Sequence, residues 1–391
     1  MGFSKATPHA LYLHIPFCRH ICTYCAFNTY AGMEDSYSAF VDALCKEIVA
    51  VAEGRPEIPL VSVFFGGGTP SLLSVPDYRR LLTTIRQHFV LLPNAEITIE
   101  ANPNDLSPLY AEGLLEVGVN RLSIGMQSAN ARELELFQRQ HDQKMVDEAV
   151  KWSRQAGFSS ISLDLIYGIP DQTLSDWHST LDQAFALQPQ HFSLYNLDFK
   201  GGTVLTNWVK TGVAPVPDDD LSADMYELAT EVLGNAGFQQ YEISNWAKPG
   251  HQSRHNLQYW YNDPYLGLGP GAHGYAAGIR YTVVRSPVRY IEKLKGSVLP
   301  RQFPRSPATA KAVRVDPRTE MAETIMMGLR LTEQGIERKR FRARFGVDLV
   351  AAHPDEVEKH VTYGLLEVDA ERVRLTKAGR FLSNAVIRDF V

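Results

Sequence analysis

Along the first two hundred residues, short apolar runs alternate with segments whose apolar residues return every three or four positions. The runs are Leu11–Ile15, Leu60–Phe65, Glu96–Glu100, Arg121–Gly125, Ser160–Ile166 and His191–Leu197. Stretches such as Val61-Ser62-Val63-Phe64-Phe65 read as apolar on both faces, the pattern of a parallel strand covered by helices. Between the runs, Tyr37, Phe40, Leu44 and Ile48 recur at helical spacing, and Tyr78–Phe89, Pro108–Val117, Met145–Ala156 and Leu174–Leu187 behave alike. This alternation predicts an α/β fold built from six βα units. It admits an open doubly wound sheet or a barrel left incomplete after its sixth strand. Either places functional groups beyond the C-terminal ends of the strands.

Unusual residues gather at those ends. The first run leads into Cys18, Cys22 and Cys25, and the second into Gly66-Gly67-Gly68-Thr69-Pro70. The third ends at Glu100, the fourth leads to Gln127, the fifth carries Asp164, and the sixth ends near Asn196 and Asp198. Regular alternation stops near residue 200. Asp219–Ala236 reads as a helix, followed by an aromatic, Gly- and His-rich stretch from Tyr241 to Tyr275. Residues 276–315, basic and Pro-containing, read as a linker. Beyond it lie a helix near Glu320–Leu331, a basic helical segment Ile336–Phe345, a hairpin Leu365–Leu375, and a final helix capped by Thr376. The expected domains are 1–205, 206–315 and 316–391.

The 391 residues are 45% hydrophobic and 21% charged, an ordinary globular balance. A net charge of -5 supplies no global basic field for nucleic acid or an anionic membrane, so no nucleic-acid partner is expected. No apolar run approaches the ~20 residues needed to span a bilayer. His14 and Pro16 interrupt Leu11–Phe17, unlike a signal-peptide core, and Met1-Gly2 lacks the Ser or Thr at position 6 of a myristoylation motif. A cytoplasmic protein is the expectation. The chain is expected as a monomer or dimer.

Three of the four cysteines lie within eight residues, in a C-x3-C-x2-C loop. A disulfide framework would need more of them, spread more widely. A saturated 4Fe–4S cluster takes four thiolates. Cys18, Cys22 and Cys25 supply three, and Ala26-Phe27 follows where a local fourth would stand. One iron is thereby left open for the amino and carboxylate groups of S-adenosylmethionine, an arrangement suited to radical chemistry. The competing reading is a zinc loop completed by His20 or His14. Cys45, inside a helical pattern, reads as a small buried hydrophobe.

Tyr12-x-His14-Ile15-Pro16-Phe17-Cys18, together with the cysteine loop, resembles the signature of radical S-adenosylmethionine enzymes of the coproporphyrinogen oxidase group. Phe65-Gly66-Gly67-Gly68-Thr69-Pro70-Ser71, Glu100, Arg121-x4-Gly125-x-Gln127-Ser128 and Asp164-Leu165-Ile166-Tyr167-Gly168-Ile169-Pro170 match its later motifs in order. The resemblance covers nearly the whole chain. It implies an incomplete (β/α)6 barrel with a smaller, winged-helix-like α+β module at the C-terminus. Carried over one residue at a time, it puts Tyr12 and Tyr24 beside the cofactor, and Gly67, Gly68 and Thr69 against its methionine portion. Glu100 would meet the ribose or amino end, with Gln127, Arg139 and Asp164 completing the pocket. Every role carried over is a binding role; none is catalytic.

Within that group the chain looks like the HemW-type haem chaperones. Phe27 stands where the resembling oxidases carry a further cysteine, and the cluster loop begins at residue 18, without their long preceding segment. The stretch His255-Asn256-Leu257-Gln258-Tyr259-Trp260, with Leu266–His273, matches the chaperone pattern. Imidazole beside aromatic faces suits a porphyrin, and His255 and Trp260 are therefore expected to contact haem as bound cargo, with His251 and His273 as other ligand candidates. The bland reading of His255 is a packed aromatic cluster with its ring hydrogen-bonded inside. The resemblance implies haem, haem-accepting proteins (membrane-bound respiratory enzymes among the candidates) and an electron donor for the cluster as partners. Two other functions are weighed: oxygen-independent coproporphyrinogen III oxidation, and radical modification of RNA, to which the basic run Arg338–Arg344 would belong if it were not a solvated helix face.

Overall fold

The computed structural model describes residues 7–55, 57–296 and 302–391; Met1-Gly2 and position 6 lie outside them, as do residues 297–301 of the expected linker. The first half alternates β1 (His9–Ile15), α1 (Tyr37–Glu53), β2 (Pro59–Gly67), α2 (Val75–His88), β3 (Val90–Ala101), α3 (Pro108–Val117), β4 (Arg121–Gln127), α4 (Gln143–Ala156), β5 (Ile161–Tyr167), α5 (Leu174–Ala186) and β6 (His191–Asn196). The six strands pair in sequence order, all parallel. Local chemistry sets the helix ends. Ser74 with Asp77 and Thr173 with Asp176 form capping boxes, and Gly118 and Gly157 end α3 and α4 in the left-handed region, at φ 105° and 112°.

The strands differ from the sequence expectation in one respect: only one face is apolar. Leu11, Leu13, Val63, Phe65, Ile97, Ile99, Leu122, Ile124, Leu163, Leu165, Phe192 and Leu194 are buried in the main core. The alternate positions carry Ser62, Thr98, Glu100, Arg121, Ser123, Ser162, Asp164, His191 and Ser193. Side chains from all six strands, from Tyr12 on β1 to Tyr195 on β6, line one cavity of about 200 Å³. Laid flat, six strands at roughly 4.8 Å spacing would stretch about 24 Å. The sheet therefore curls into a trough with a polar interior, the incomplete barrel.

Both edges are extended. After α6 (Asp219–Asn235), β7 (Gln239–Glu242) and β8 (Asn245–Ala247) add antiparallel strands beside β6. Helix α7 (Arg254–Trp260) follows. Then β9 (Tyr265–Leu268) pairs parallel to β1 and is continued antiparallel by β10 (His273–Ala276), β11 (Ile279–Val283) and β12 (Thr309–Arg314). Residues 276–315 are thus not a plain linker. Tyr281, Val283 and, on α8 (Pro287–Lys293), Tyr290 belong to the main core. The signal was masked because β12 is an edge strand, exposed along Ala310–Arg314 and carrying Lys311 and Arg314, as strands that avoid further pairing do.

The C-terminal module has α9 (Pro317–Gly328), β13 (Ile336–Glu337), α10 (Arg338–Phe345), α11 (Pro354–Thr362), β14 (Leu366–Val368) and β15 (Arg372–Leu375), with its strands in the order β13-β15-β14. Its own core includes Ile325, Phe341, Leu349, Val357, Val373 and Leu375. Thr376 does cap a helix, by accepting from the Gly379 amide, but that helix ends at Phe381 and a second short one runs Ser383–Arg388. No described helix is long and apolar enough to cross a membrane.

Candidate metal centre and nucleotide pocket

The cysteine loop is pinned at both ends and in its middle. Phe17–Cys18 pairs with Tyr30–Ala31, and the Tyr30 amide donates to Pro16 O at 2.7 Å. The Thr23 hydroxyl donates to Leu136 O at 2.7 Å, the Leu205 amide to Thr23 O at 2.9 Å, and the Tyr24 ring packs 4.5 Å from Phe137. The three cysteines stand close enough for their neighbours' charges to act on Cys18 and Cys25. Burial, with Cys25 and Cys22 adding, pushes the Cys18 thiol up to about 11, although Thr69 Oγ1 donates to its sulfur at 3.4 Å. Cys25 is also raised, chiefly by burial. A metal taken up by these thiols would have to displace protons from Cys18 and Cys25.

The donor set fits a cubane better than zinc. His14 has both ring nitrogens engaged, with Tyr12 Oη at 2.9 Å and Asn28 O at 3.0 Å. His20 pairs through Nε2 with Gln138 Oε1 at 2.9 Å in an exposed position. Among the described residues, no three His, Cys, Asp or Glu side chains converge on a point suited to a single ion. A cubane instead bonds each thiolate to a different iron, so its ligands stand apart. A cubane held by three thiols with no local fourth would leave one iron to a ligand from elsewhere. Cys45 is not part of this group. Half-buried on α1, it faces Thr84 and Arg80.

The glycines at the end of β2 are required by protein packing. A Cβ on Gly67, whose φ is +117°, would sit 2.5 Å from the His14 ring, and one on Gly68 would lie 2.5 Å from Phe17 O. The turn's amides are taken: Gly67 N donates to Glu100 Oε2 at 3.0 Å, Gly68 N to Ile15 O at 2.8 Å and Thr69 N to Phe17 O at 2.7 Å. These residues lock the cysteine loop to the strand ends. Contact with a methionine portion would be additional.

Glu100 and Asp164 line the cavity inside the trough. Burial, then the facing Asp164, lift the Glu100 carboxyl up to about 7. Asp164 accepts from the Ser123 hydroxyl at 2.9 Å and from Ser162 at 3.2 Å; burial raises it too, and the serines temper the rise. Gln127 ends β4 at φ 65° with its amide beside Gly125. Arg139, an ordinary exposed arginine by its sequence, is drawn inward. Its guanidinium donates to Asn102 Oδ1 at 2.7 Å and Gly125 O at 3.0 Å, and reaches Cys22 Sγ at 3.5 Å. Asn102 and Asn28 went unassigned at the sequence level. Asn28 fastens the cysteine loop to Pro270 O at 3.0 Å and Arg285 O at 2.9 Å.

His255 and Trp260 do not form one platform. His255 is buried, with Nδ1 bound to Ser62 Oγ at 2.9 Å, Nε2 to Tyr259 Oη at 2.8 Å, and its ring stacked 4.9 Å from Phe64. Burial drives its pKa down to about 3. Ligation of iron by His255 would require breaking one of these hydrogen bonds. Trp260 is directed elsewhere, towards the C-terminal module, under the Arg330 guanidinium and beside Thr324 and Phe341.

Comparison with known proteins agrees with this architecture. The model of the radical SAM superfamily matches residues 12–184, and that of the HemN C-terminal domain matches residues 315–382. The chain is 36% identical to the heme chaperone HemW of Bacillus subtilis (strain 168), over 97% of this chain and 98% of that one. It is 35% identical to the heme chaperone HemW of Escherichia coli (strain K12), over 99% of each. In fold it is similar to the Escherichia coli coproporphyrinogen III oxidase HemN, with a TM-score of 0.84 at 22% identity, covering 98% of this chain and 90% of that one. Cysteine loop, curled parallel sheet and C-terminal module thus converge with near full-length similarity: the chain belongs to the HemW family of the radical SAM superfamily.

Proposed function

We propose that this protein binds haem and passes it to acceptor proteins, using a 4Fe–4S cluster on Cys18, Cys22 and Cys25 with S-adenosylmethionine as a resident structural or regulatory core. Near full-length similarity to heme chaperones carries this reading. When bound, the cluster supplies an open iron that can take the amino and carboxylate groups of the nucleotide. The chain's own residues would do the rest. Arg139 and Thr69 would offer hydrogen bonds to thiolate sulfur, as they already do to Cys22 and Cys18. Glu100, with its raised pKa, and Asp164 would hold polar groups of the nucleotide, while Tyr12 and Tyr24 would close off water. Tyr24 would act beside the loop, where its ring packs on Phe137. Gln127 would complete the wall from the end of β4.

Coproporphyrinogen III oxidation remains the alternative in chemical class, but the similarity to the oxidase is one of fold, at 22% identity. The two are separated with anaerobically reconstituted protein. A saturable Soret shift on haem titration, followed by haem transfer to an apo-acceptor with no protoporphyrinogen formed from coproporphyrinogen under reducing conditions, is the expected result. Turnover of coproporphyrinogen would overturn the proposal.

A further inference from the structure

We infer that the haem-binding site is the large cavity between the cysteine loop and strand β10, with His273 as the axial ligand; the inference rests on the chaperone reading above. Three observations lead there. The first is space. The trough interior, whose Glu100 and Asp164 are given to the nucleotide above, holds only about 200 Å³ and leaves no room for a porphyrin beside it. The neighbouring cavity, which shares Tyr12 and Tyr259 with it, measures about 750 Å³.

The second is the state of the histidines. His255 has both ring nitrogens occupied. His251 contributes to neither cavity and lies beside Arg121, to which its carbonyl is bonded at 3.0 Å. His14 lines the large cavity but is bonded at both nitrogens. His273 lines the same cavity, is exposed, and makes no ring hydrogen bond among the described residues. Its backbone is fixed: paired with Thr282 on β11, it packs its carbonyl so closely on Gly267 that no side chain could be added there. A rigid strand presenting a free imidazole is what an axial ligand requires.

The third is the character of the walls. Phe27, at the end of the cysteine loop, is 71% exposed and turns an apolar ring face to the cavity it lines, where a flat ligand could stack on it. Arg285 stands at the rim, its Nε spent on Asn28 Oδ1 at 3.2 Å and the other guanidinium donors available for a propionate. No carboxylate occurs among the residues lining the cavity. An aromatic face, one free imidazole, one guanidinium and no opposing negative charge match a dianionic iron porphyrin.

The test titrates ferric haem into cluster-reconstituted full-length protein, wild type and His273→Ala, with free imidazole added to the variant. The expected result is a displaced Soret band and at least tenfold weaker binding in the variant, restoration of the wild-type spectrum by imidazole, and an unchanged iron–sulfur absorbance. Phe27→Ala should weaken binding without moving the band. A His273→Ala spectrum identical to wild type would overturn the assignment while leaving the chaperone reading intact. Weakened S-adenosylmethionine binding with an unchanged haem spectrum would overturn it too, giving the cavity to the nucleotide. Failure of the wild type itself to bind haem saturably would defeat both readings together.

Discussion

At the scale of single residues, the trough interior stores two carboxyls face to face. Glu100 keeps its proton up to about 7 against an ordinary 4.5, because desolvation at its half-buried place in the cavity wall, and then the facing Asp164, disfavour its charge. Between those pH values the folded chain holds a proton that the unfolded chain has released. Stability is therefore fullest below 4.5, falls as pH rises to about 7, and then levels off. The unscreened effect is about 3 kcal/mol, and the partial exposure of Glu100 reduces it to roughly 1–2 kcal/mol. Glu100→Gln, which cannot ionise, should lose that much less stability between pH 5 and pH 8 in the nucleotide-free protein, read by urea unfolding at each pH. Equal losses in variant and wild type would acquit Glu100. The cysteines and strand-end acids were legible in the sequence because their types are unusual where they stand. Arg139 and His255 were not, because what decides each is distant: Asn102 and Gly125 for the arginine, and Ser62, 193 residues away, for the histidine.

At the scale of elements, the turn that leads into His273 and strand β10 is anchored from beneath by a buried carboxyl. Glu47 on α1 accepts from the Gly269 amide at 2.8 Å, the Tyr290 hydroxyl at 2.7 Å and the Ser306 hydroxyl at 2.6 Å. One side chain thus joins α1, the turn after β9, α8 and the loop before β12. Glu47→Ala would strand three buried donors, and a destabilisation of about 3 kcal/mol is expected, with faster amide exchange concentrated at Gly269–His273. Unchanged protection of those amides would show that the turn holds its shape unaided. The cue was present in the sequence, since Glu47 falls on the same stripe as Leu44, Ile48 and Val51, where a charge has no business without partners. The six parallel strands were legible because each has an apolar face under helices. The antiparallel flank was not: Gly, Pro and basic residues break up its strands, and its edge faces water. Nor did the short apolar runs reveal the polar inner face, because Ser and Thr between large residues read as part of a buried strand.

At the scale of the whole molecule, the basic segment of the C-terminal module is spent within the protein. Arg338 and Arg342 both pair with Asp348, at 3.0 and 2.7 Å; Arg340 with Asp263, at 2.5 Å; and Arg344 with Glu320, at 2.7 Å. Two of the four also cross to the turn that follows α7: Arg340 through Asp263, and Arg344 by donating to Tyr261 O and Asn262 O. Their work is to dock the module against the extended sheet, aided by Tyr261–Gln334 at 2.6 Å and Asn262–Thr324 at 3.0 Å. A helix face neutralised in this way offers few charges to displace counterions from a phosphate backbone. With a net charge of -5 overall, binding of transfer RNA should be weak at 150 mM salt, with a log–log salt dependence between 50 and 200 mM near zero. Arg344→Ala should leave that slope unchanged while making the module easier to cleave by limited proteolysis, because its cost falls on docking. A slope of several units, lost on replacing these arginines, would instead return the basic helix to nucleic acid and reopen the RNA-modifying reading.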